Sequence, residues 1–185
     1  MILRLFIMSF IAVSFLVSCE EEDSMPLDGF DEQSILDARK EKSEEFKGLT
    51  YYEPDADYSV DAVFVPAASV DTFTMQTTTS ELRRAFRVGS FRFELQKKRL
   101  SLFAYQFADA TQDSYFVPFT DRTNGESTYR AGRYIDVKVL NNDSSYVIDF
   151  NMAYNPYCAY DENYSCPVVP KENDLSIAIK AGEKK

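Results

Sequence analysis

The feature that most constrains the fold is a change of hydrophobic period near residue 58. From there on, short runs alternate apolar and polar residues and are separated by turn residues. A period of two places successive side chains on opposite faces of a strand, which is typical of antiparallel sheets with one buried face. The runs predict strands at 58–65, 72–76, 84–88, 90–95, 100–107, 114–117, 134–140, 145–152 and 175–180. We therefore predict a mainly β protein, an antiparallel β-sandwich or a small barrel.

One helix precedes the strands. Residues 31–47 are rich in Glu, Lys and Ala, with Ile35, Leu36 and Phe46 as their few large apolar residues. Gly48 follows, and glycine commonly ends helices. The pattern predicts one N-terminal amphipathic helix at 31–47 and a β domain at 50–185, together forming a single domain at 31–185.

The first residues predict an export signal rather than part of the fold. Arg4 is followed by an apolar run of about a dozen residues, which is too short to span a bilayer. The run ends in Leu16-Val17-Ser18-Cys19, which resembles the lipobox of bacterial lipoproteins. This resemblance implies a signal peptide at 1–18 and attachment of a diacylglyceryl group, with its fatty acids such as palmitate, to Cys19.

Residues 19–30 form an acidic segment that we interpret as a flexible tether. Its Glu20-Glu21-Glu22-Asp23 run resembles the export signal of Bacteroidetes surface lipoproteins. The expected location is therefore the outer membrane, on its periplasmic face or at the cell surface. The formal net charge of −10 disfavours nucleic acid and anionic headgroups, so membrane attachment is expected through the lipid on Cys19 alone.

The chain has no His and only 3 Cys. The lack of His excludes a Ser-His-Asp triad, a Cys-His dyad and an imidazole general base. Three cysteines cannot build a Cys₄ zinc site. The composition predicts no cofactor.

Two aspartates attract attention in a predicted hairpin. With Asn142-Asp143 as the turn, one face of the two flanking strands is wholly apolar, and the other places Asp136 directly against Asp149. Opposed carboxylates destabilise a sheet unless something compensates them. A basic side chain such as Lys138 or Arg133, a bound divalent cation, or a raised pKa useful for acid/base chemistry would each do so.

Cys158 and Cys166 remain after lipidation of Cys19. In an exported protein such a pair favours a disulfide, which would stabilise the short aromatic loop by about 2.6 kcal/mol in the chain-entropy model. A reversible redox pair and a metal site completed by carboxylates are the alternatives. The spacing is not Cys-x-x-Cys, the arrangement that lowers a thiol pKa.

The polar loop at 121–133 is either a tight connection or an anion-binding turn. Its arginines, which suit carboxylate or phosphate, are Arg122, Arg130 and Arg133. No GxxxxGK or GxGxxG motif accompanies them, so the sequence predicts no nucleotide site.

Several runs in this order resemble one known family. They are Phe119-Thr120-Asp121-Arg122-Thr123-Asn124-Gly125, Thr128-Tyr129, Gly132-Arg133-Tyr134, Asp149-Phe150-Asn151, Ala153-Tyr154-Asn155-Pro156 and Ala181-Gly182-Glu183. The combination resembles the bacterial family called domain of unknown function 1684, over about 42–185. The resemblance implies no activity, since none is established for the family.

The resemblance does direct attention to polar positions, because a signature set by packing alone would be more apolar. The candidate polar site comprises Asp121, Thr123, Thr128, Tyr129, Arg133, Asp149, Asn151, Tyr154, Asn155, Glu172, Asn173 and Glu183.

The preferred hypothesis is a lipid-anchored binding or accessory domain of the cell envelope, whose ligand is a small molecule, a glycan or a partner protein. Tyrosines in the loop near Cys158 would supply flat contact surface. The alternatives are a histidine-free hydrolase, a redox protein and a purely structural lipoprotein. The hydrolase would use two carboxylates from Asp121, Glu126, Asp149 and Glu172.

Overall fold

The computed structural model describes residues 30–111, 113–140 and 144–185. They form α1 (Glu32–Glu45), β1 (Ser59–Gln76), β2 (Leu82–Leu95), β3 (Lys98–Phe107), β4 (Ser114–Phe119), β5 (Arg133–Lys138) and β6 (Ser145–Asp149). Short 3₁₀ turns occupy Ala56–Tyr58, Phe150–Met152, Tyr157–Ala159 and Lys171–Asn173. The predicted signal peptide, Cys19 and the Asn142-Asp143 turn lie outside the described residues.

The six strands form one antiparallel sheet in the order β5-β4-β3-β2-β1-β6. Strands that are consecutive in the chain pair with each other, except that β6 pairs with β1, from Ser59 opposite Asp149 to Val63 opposite Ser145. The sheet curls into a nearly closed barrel. The prediction of a mainly β protein with one N-terminal helix is confirmed.

Alternate side chains of the strands fill the barrel interior, because a period of two sends every second side chain inward. Phe91 on β2, Leu102 on β3, Val117 on β4 and Ile148 on β6 are fully buried there. Burial of each such side chain stabilises the fold by about 1.5–3 kcal/mol.

A second apolar cluster lies on the outer face of the sheet. Bulges between Pro66 and Asp71 in β1 and between Arg87 and Gly89 in β2 shift the register of the long β1–β2 hairpin. Beyond them the hairpin contributes to a cluster made of Met75, Ala85, Tyr105, Phe107, Phe116 and Tyr134. This part of the outer face is therefore covered by other elements instead of facing water.

Helix α1 is one of the covering elements. The Asp31 side chain caps it by accepting a hydrogen bond from the Ser34 N–H at 3.2 Å. Ile35, which is 1% exposed, is its buried anchor. The helix ends at Glu45, and Gly48 then adopts φ +78°, so the helix predicted at 31–47 is present with slightly shorter bounds. Among the described residues, no helix is long and apolar enough to cross a membrane.

Some predicted strands differ from the observed ones. The predicted strands at 58–65 and 72–76 are the two ends of β1, and those at 84–88 and 90–95 are the two halves of β2. The predicted strand at 175–180 is wrong. Its alternating Leu175, Ile177 and Ile179 are buried in the core as expected, but the segment pairs only through single contacts, such as the Leu175 N–H donating to the Thr120 carbonyl at 2.8 Å.

The predicted hairpin register is also wrong. Asp136 lies opposite Phe116 of β4, and Asp149 lies opposite Ser59 of β1, because β5 and β6 occur at opposite ends of the strand order. The apolar face of the two strands does face inward as predicted, since Ile135 and Ile148 both lie in the core. The alternation fixes which face is buried, but it does not select the neighbouring strand.

Candidate functional site

The residues of the 121–133 loop build a buried ion pair. Arg133 and Asp121 side chains are 0% exposed, and Arg133 Nη2 donates to Asp121 Oδ2 at 2.9 Å. The guanidinium also donates to the carbonyls of Ile179 at 2.9 Å, Ala181 and Glu183. It thereby fastens the C-terminal segment to β5.

The other oxygen of Asp121 organises its own loop. Asp121 Oδ1 accepts from the Thr123 N–H at 2.7 Å and from the Thr123 hydroxyl at 2.6 Å, and that hydroxyl lies 2.8 Å from Thr128 Oγ1. The Ile179 N–H donates to the same carboxylate oxygen at 3.2 Å. These contacts are internal and buried, so these residues join the loop to β5 and to the C-terminal segment.

Asp149 and Asn151 form a second structural unit. Asp149 Oδ1 accepts from the backbone N–H of Asn151 at 2.9 Å and from its side-chain amide at 2.8 Å. The Asn151 side chain is hydrogen-bonded in both directions to the backbone of Asp55, at 2.8 and 3.0 Å. The pair thus tethers the end of β6 to the segment before β1.

Asn173 bridges two neighbouring strands. Its Nδ2 donates to the carbonyls of Phe103 at 2.9 Å and Pro118 at 2.6 Å, and its Oδ1 accepts from the Phe103 N–H at 2.8 Å. β3 and β4 pair directly only at Tyr105 and Phe116. The fully buried amide of Asn173 therefore replaces backbone pairing where the two strands separate. Beside it, Glu172 accepts from the Tyr105 hydroxyl at 3.1 Å.

Substitution of Asn173 by Asp should therefore destabilise the protein. The carboxylate has no N–H to give to two buried carbonyls, so we expect the free energy of unfolding to fall by about 1–3 kcal/mol. Urea denaturation followed by circular dichroism would measure the change. Asn163→Asp is the matched control, since Asn163 is exposed and bonds only within its own turn. Equal stability of Asn173→Asp and the wild-type protein would contradict the bridging role.

Glu183 is the centre of a third buried network. Its carboxylate is 1% exposed and lies 2.8 Å from Lys42 Nζ of α1. It also accepts from the Asn155 backbone and side-chain N–H groups, each at 3.0 Å, and from the Tyr160 hydroxyl. Burial lowers the pKa of Lys42, and the neighbouring Glu183 opposes that shift. The network joins the helix, the loop after β6 and the C-terminal segment.

An open cleft of about 630 Å³ lies on the outer face of the barrel. The second apolar cluster provides aromatic side chains to its floor, namely Tyr105, Phe107, Phe116 and Tyr134. Its walls are α1, the loop at 152–157, the segment at 164–167 and the tip of the β1–β2 hairpin at Arg83. A volume between about 300 and 1,000 Å³ is typical of small-molecule sites.

Asp136 is the polar group that β5 presents to this cleft. Its Oδ2 accepts a hydrogen bond from the Tyr154 hydroxyl at 2.7 Å. Asp136 is exposed to solvent at the mouth of the cleft, but the protein around it partly desolvates the carboxylate and raises its pKa, and the hydrogen bond from Tyr154 opposes the shift. Burial and the nearby Asp136 also raise the pKa of Tyr154, so its hydroxyl stays protonated. The pair places a hydrogen-bonded carboxylate among aromatic rings.

Cys166 lies in the cleft wall, and Cys158 lies beside it. The Cys158 N–H donates to Cys166 Sγ at 3.1 Å, and both cysteines are free thiols in this structure. Burial raises the pKa of Cys166 and also that of the adjacent Tyr129. A raised pKa disfavours the reactive thiolate.

The structure divides the predicted site residues into two groups. Most of them stabilise the fold, in the networks centred on Arg133, Asn151, Asn173 and Glu183. Of the predicted site residues, Tyr154, Cys166 and Asn151 line the cleft. Asp136, which the predicted hairpin placed against Asp149, lines it as well. None of the four carboxylates of the hydrolase hypothesis lines it, and the described residues hold no group of three or more His, Cys, Asp or Glu that could bind a metal.

Sequence reasoning missed most of the cleft. It did not single out Arg83, Tyr105 or Lys42 as site residues. One signal was present, because strands β3 to β5 carry large apolar residues on both faces, as Tyr105 beside Ala104 and Phe116 beside Val117 show. Apolar residues on both faces indicate a sheet covered on both sides.

The fold and the cleft define a small antiparallel barrel with a ligand-sized recess on its outer face. The chain belongs to the family described as "Protein of unknown function (DUF1684)", whose model matches residues 44–184. It is also similar to an uncharacterized protein of Haloarcula marismortui whose solution NMR structure is known. That protein is 34% identical, with 78% of this chain and 80% of that chain covered and a TM-score of 0.63. No curated protein matches the chain.

Proposed function

We propose that this protein is a lipid-anchored binding domain of the cell envelope, and that the outer-face cleft holds its ligand, a small organic molecule. The observation that carries the proposal is the 630 Å³ cleft with its aromatic floor. A purely structural role accounts for the buried networks of Arg133 and Asn173. It does not account for the exposed rings of Tyr157 and Tyr164, which line the cleft.

A binding role is favoured over the carboxylate hydrolase. Asp121 is fully buried and bonded to Arg133, and the half-buried Asp149 is held by Asn151 and does not line the cleft. Glu126 is an exposed loop residue. Glu172 accepts from the Tyr105 hydroxyl, but Glu172 itself does not line the cleft. Glycoside hydrolysis needs two carboxyl groups flanking one bond.

The proposal includes the membrane anchor at Cys19 and a place in the outer membrane, on its periplasmic face or at the cell surface. The support is the Leu16-Val17-Ser18-Cys19 run and the acidic segment that follows it. Metabolic labelling with radioactive palmitate should mark the wild-type protein and leave Cys19→Ala unlabelled. Equal labelling of both would contradict the anchor.

A fragment screen with a matched pair of blocking variants tests the cleft. Thr111 is an exposed residue at the cleft, whereas Thr72 is an exposed threonine of β1 that does not line it. We expect fragments detected by saturation-transfer NMR to lose binding to Thr111→Trp and to keep it with Thr72→Trp. A screen without hits, or hits that bind Thr111→Trp as well as the wild-type protein, would overturn the proposal.

We also propose that Cys158 and Cys166 form a disulfide once the protein is exported, because the Cys158 N–H already lies 3.1 Å from Cys166 Sγ. Protein purified from the periplasm should be two hydrogens lighter by denaturing mass spectrometry than the same protein after reduction. The bond would add about 2.6 kcal/mol of stability to the loop that forms one cleft wall. Full alkylation without prior reduction would contradict the disulfide.

A further inference from the structure

The charged groups of the cleft differ in how they are paired. Of its three basic side chains, Lys42 is paired with Glu183 at 2.8 Å and Arg83 with Asp109 at 3.0 Å. Arg39 donates to the Asn151 carbonyl at 3.5 Å and stacks on the Tyr51 ring at 4.7 Å. Carboxylates of the protein thus already neutralise Lys42 and Arg83, whereas Arg39 has no carboxylate within ion-pair distance among the described residues and its buried Nε has no hydrogen-bond partner there.

The carboxylates of the same cleft are not neutralised. Asp136, Glu41 and Glu45 line it, and no Lys or Arg in the described part of the chain lies within ion-pair distance of them. The contact of Asp136 is with the neutral hydroxyl of Tyr154. Glu41 and Glu45 are exposed residues of α1. The cleft therefore presents uncompensated negative charge.

Aromatic rings lie beside Asp136, the one of these carboxylates that belongs to the sheet. Tyr154 packs edge-on against Tyr134, with ring centroids 5.8 Å apart, and Tyr134 packs against Phe116 at 4.7 Å. Phe116 lies directly opposite Asp136 in the sheet. Ring faces attract organic cations, and a carboxylate adds a charge-assisted hydrogen bond.

We propose that the ligand of the cleft is an organic cation, a molecule whose ammonium group binds Asp136 while its apolar body lies on the aromatic floor. This inference rests on the proposed binding function and specifies the ligand class. An anion would meet the carboxylate of Asp136, and a neutral ligand would displace water from that carboxylate with only the Tyr154 hydroxyl left to offset the loss. A metal ion would need more ligands than Asp136 offers, and the described residues contain no group of three.

Three probes of nearly equal shape test the charge preference. They are 2-phenylethylammonium, 2-phenylethanol and phenylacetate, titrated into the purified protein and followed by NMR. We expect the cation to bind about tenfold more tightly than the alcohol, the combined effect of one charge-assisted hydrogen bond and one cation–π contact. We expect the anion to bind most weakly.

Two isosteric variants attribute the preference to Asp136. Asp136→Asn should abolish the difference in affinity between the cation and the alcohol. Asp149→Asn is the matched control, since Asp149 also has a raised pKa through burial but does not line the cleft. Asp136→Asn should fold, because the folded state already disfavours the charge of Asp136.

The possible results separate the two proposals. Equal binding of the cation and the alcohol, stronger binding of phenylacetate, or a preference that survives in Asp136→Asn would each overturn the cation proposal and leave the binding function standing. If no fragment of the screen binds the cleft either, the binding function falls with it.

Discussion

Substitution of Arg133 by Leu should lower the free energy of unfolding by about 3–5 kcal/mol, the cost typical of removing one partner from a buried ion pair. The change leaves the Asp121 carboxylate buried without a cation. It also removes the donors to the carbonyls of Ile179, Ala181 and Glu183. Denaturation with urea would measure the loss, and we expect the C-terminal segment to lose hydrogen-exchange protection first.

Two further variants make this result specific. Arg130→Leu removes an exposed arginine of the same loop and should change the stability little. The double variant Asp121→Asn with Arg133→Leu should recover part of the loss, because no uncompensated charge remains while the amide oxygen can still accept from Thr123 and Ile179. Stability of Arg133→Leu within the range of Arg130→Leu would show that the ion pair does not hold the C-terminal segment.

Substitution of Gly182 by Ala should cost about 2–4 kcal/mol, from a left-handed backbone and from overpacking together. Gly182 has φ +73°, and a Cβ there would lie 2.5 Å from the Ala153 carbonyl oxygen and 2.8 Å from that of Phe150. Backbone oxygens cannot move aside as a flexible side chain can. The thermal midpoint of unfolding would report the loss.

Gly48→Ala separates the two causes. Gly48 has nearly the same φ, +78°, but a Cβ there would meet no atom within 4 Å. We therefore expect Gly48→Ala to cost only the backbone strain, about 1–2 kcal/mol. An equal loss in both variants would mean that the close approach of Gly182 to the loop after β6 contributes nothing.

The sequence predicts the inward faces of the strands better than it predicts their partners. The alternation places Ile135 and Ile148 in the core, and both are buried. It does not show that β6 crosses to pair with β1, because a barrel closes through contacts between residues far apart in the chain. The sequence also predicts two strands, at 58–65 and 72–76, where the structure has one long bulged strand, β1. Pro66 and the residues after it disrupt the alternation locally, so the pattern does not show that the strand continues.

The candidate site shows the same limit. The family's polar positions suggested one functional constellation, but Arg133, Asn151 and Asn173 each satisfy buried backbone groups at a different junction of the fold. Residue type alone does not distinguish a buried hydrogen-bonding side chain from a ligand-binding one. The cleft itself depends on how α1 and the loop after β6 lie over the sheet, which no local pattern encodes.

Chemical-shift mapping of a bound probe tests the central claim, that the cleft is the ligand site, most directly. A titration with 2-phenylethylammonium and 2-phenylethanol, read through the backbone amides, should shift Tyr105, Phe107, Tyr134 and Asp136 together with the loop at 152–157. These residues line the cleft from separate elements. Shifts that are confined to another surface, such as the recess at 92–101 on β2 and β3, or the absence of any saturable shift, would contradict the claim.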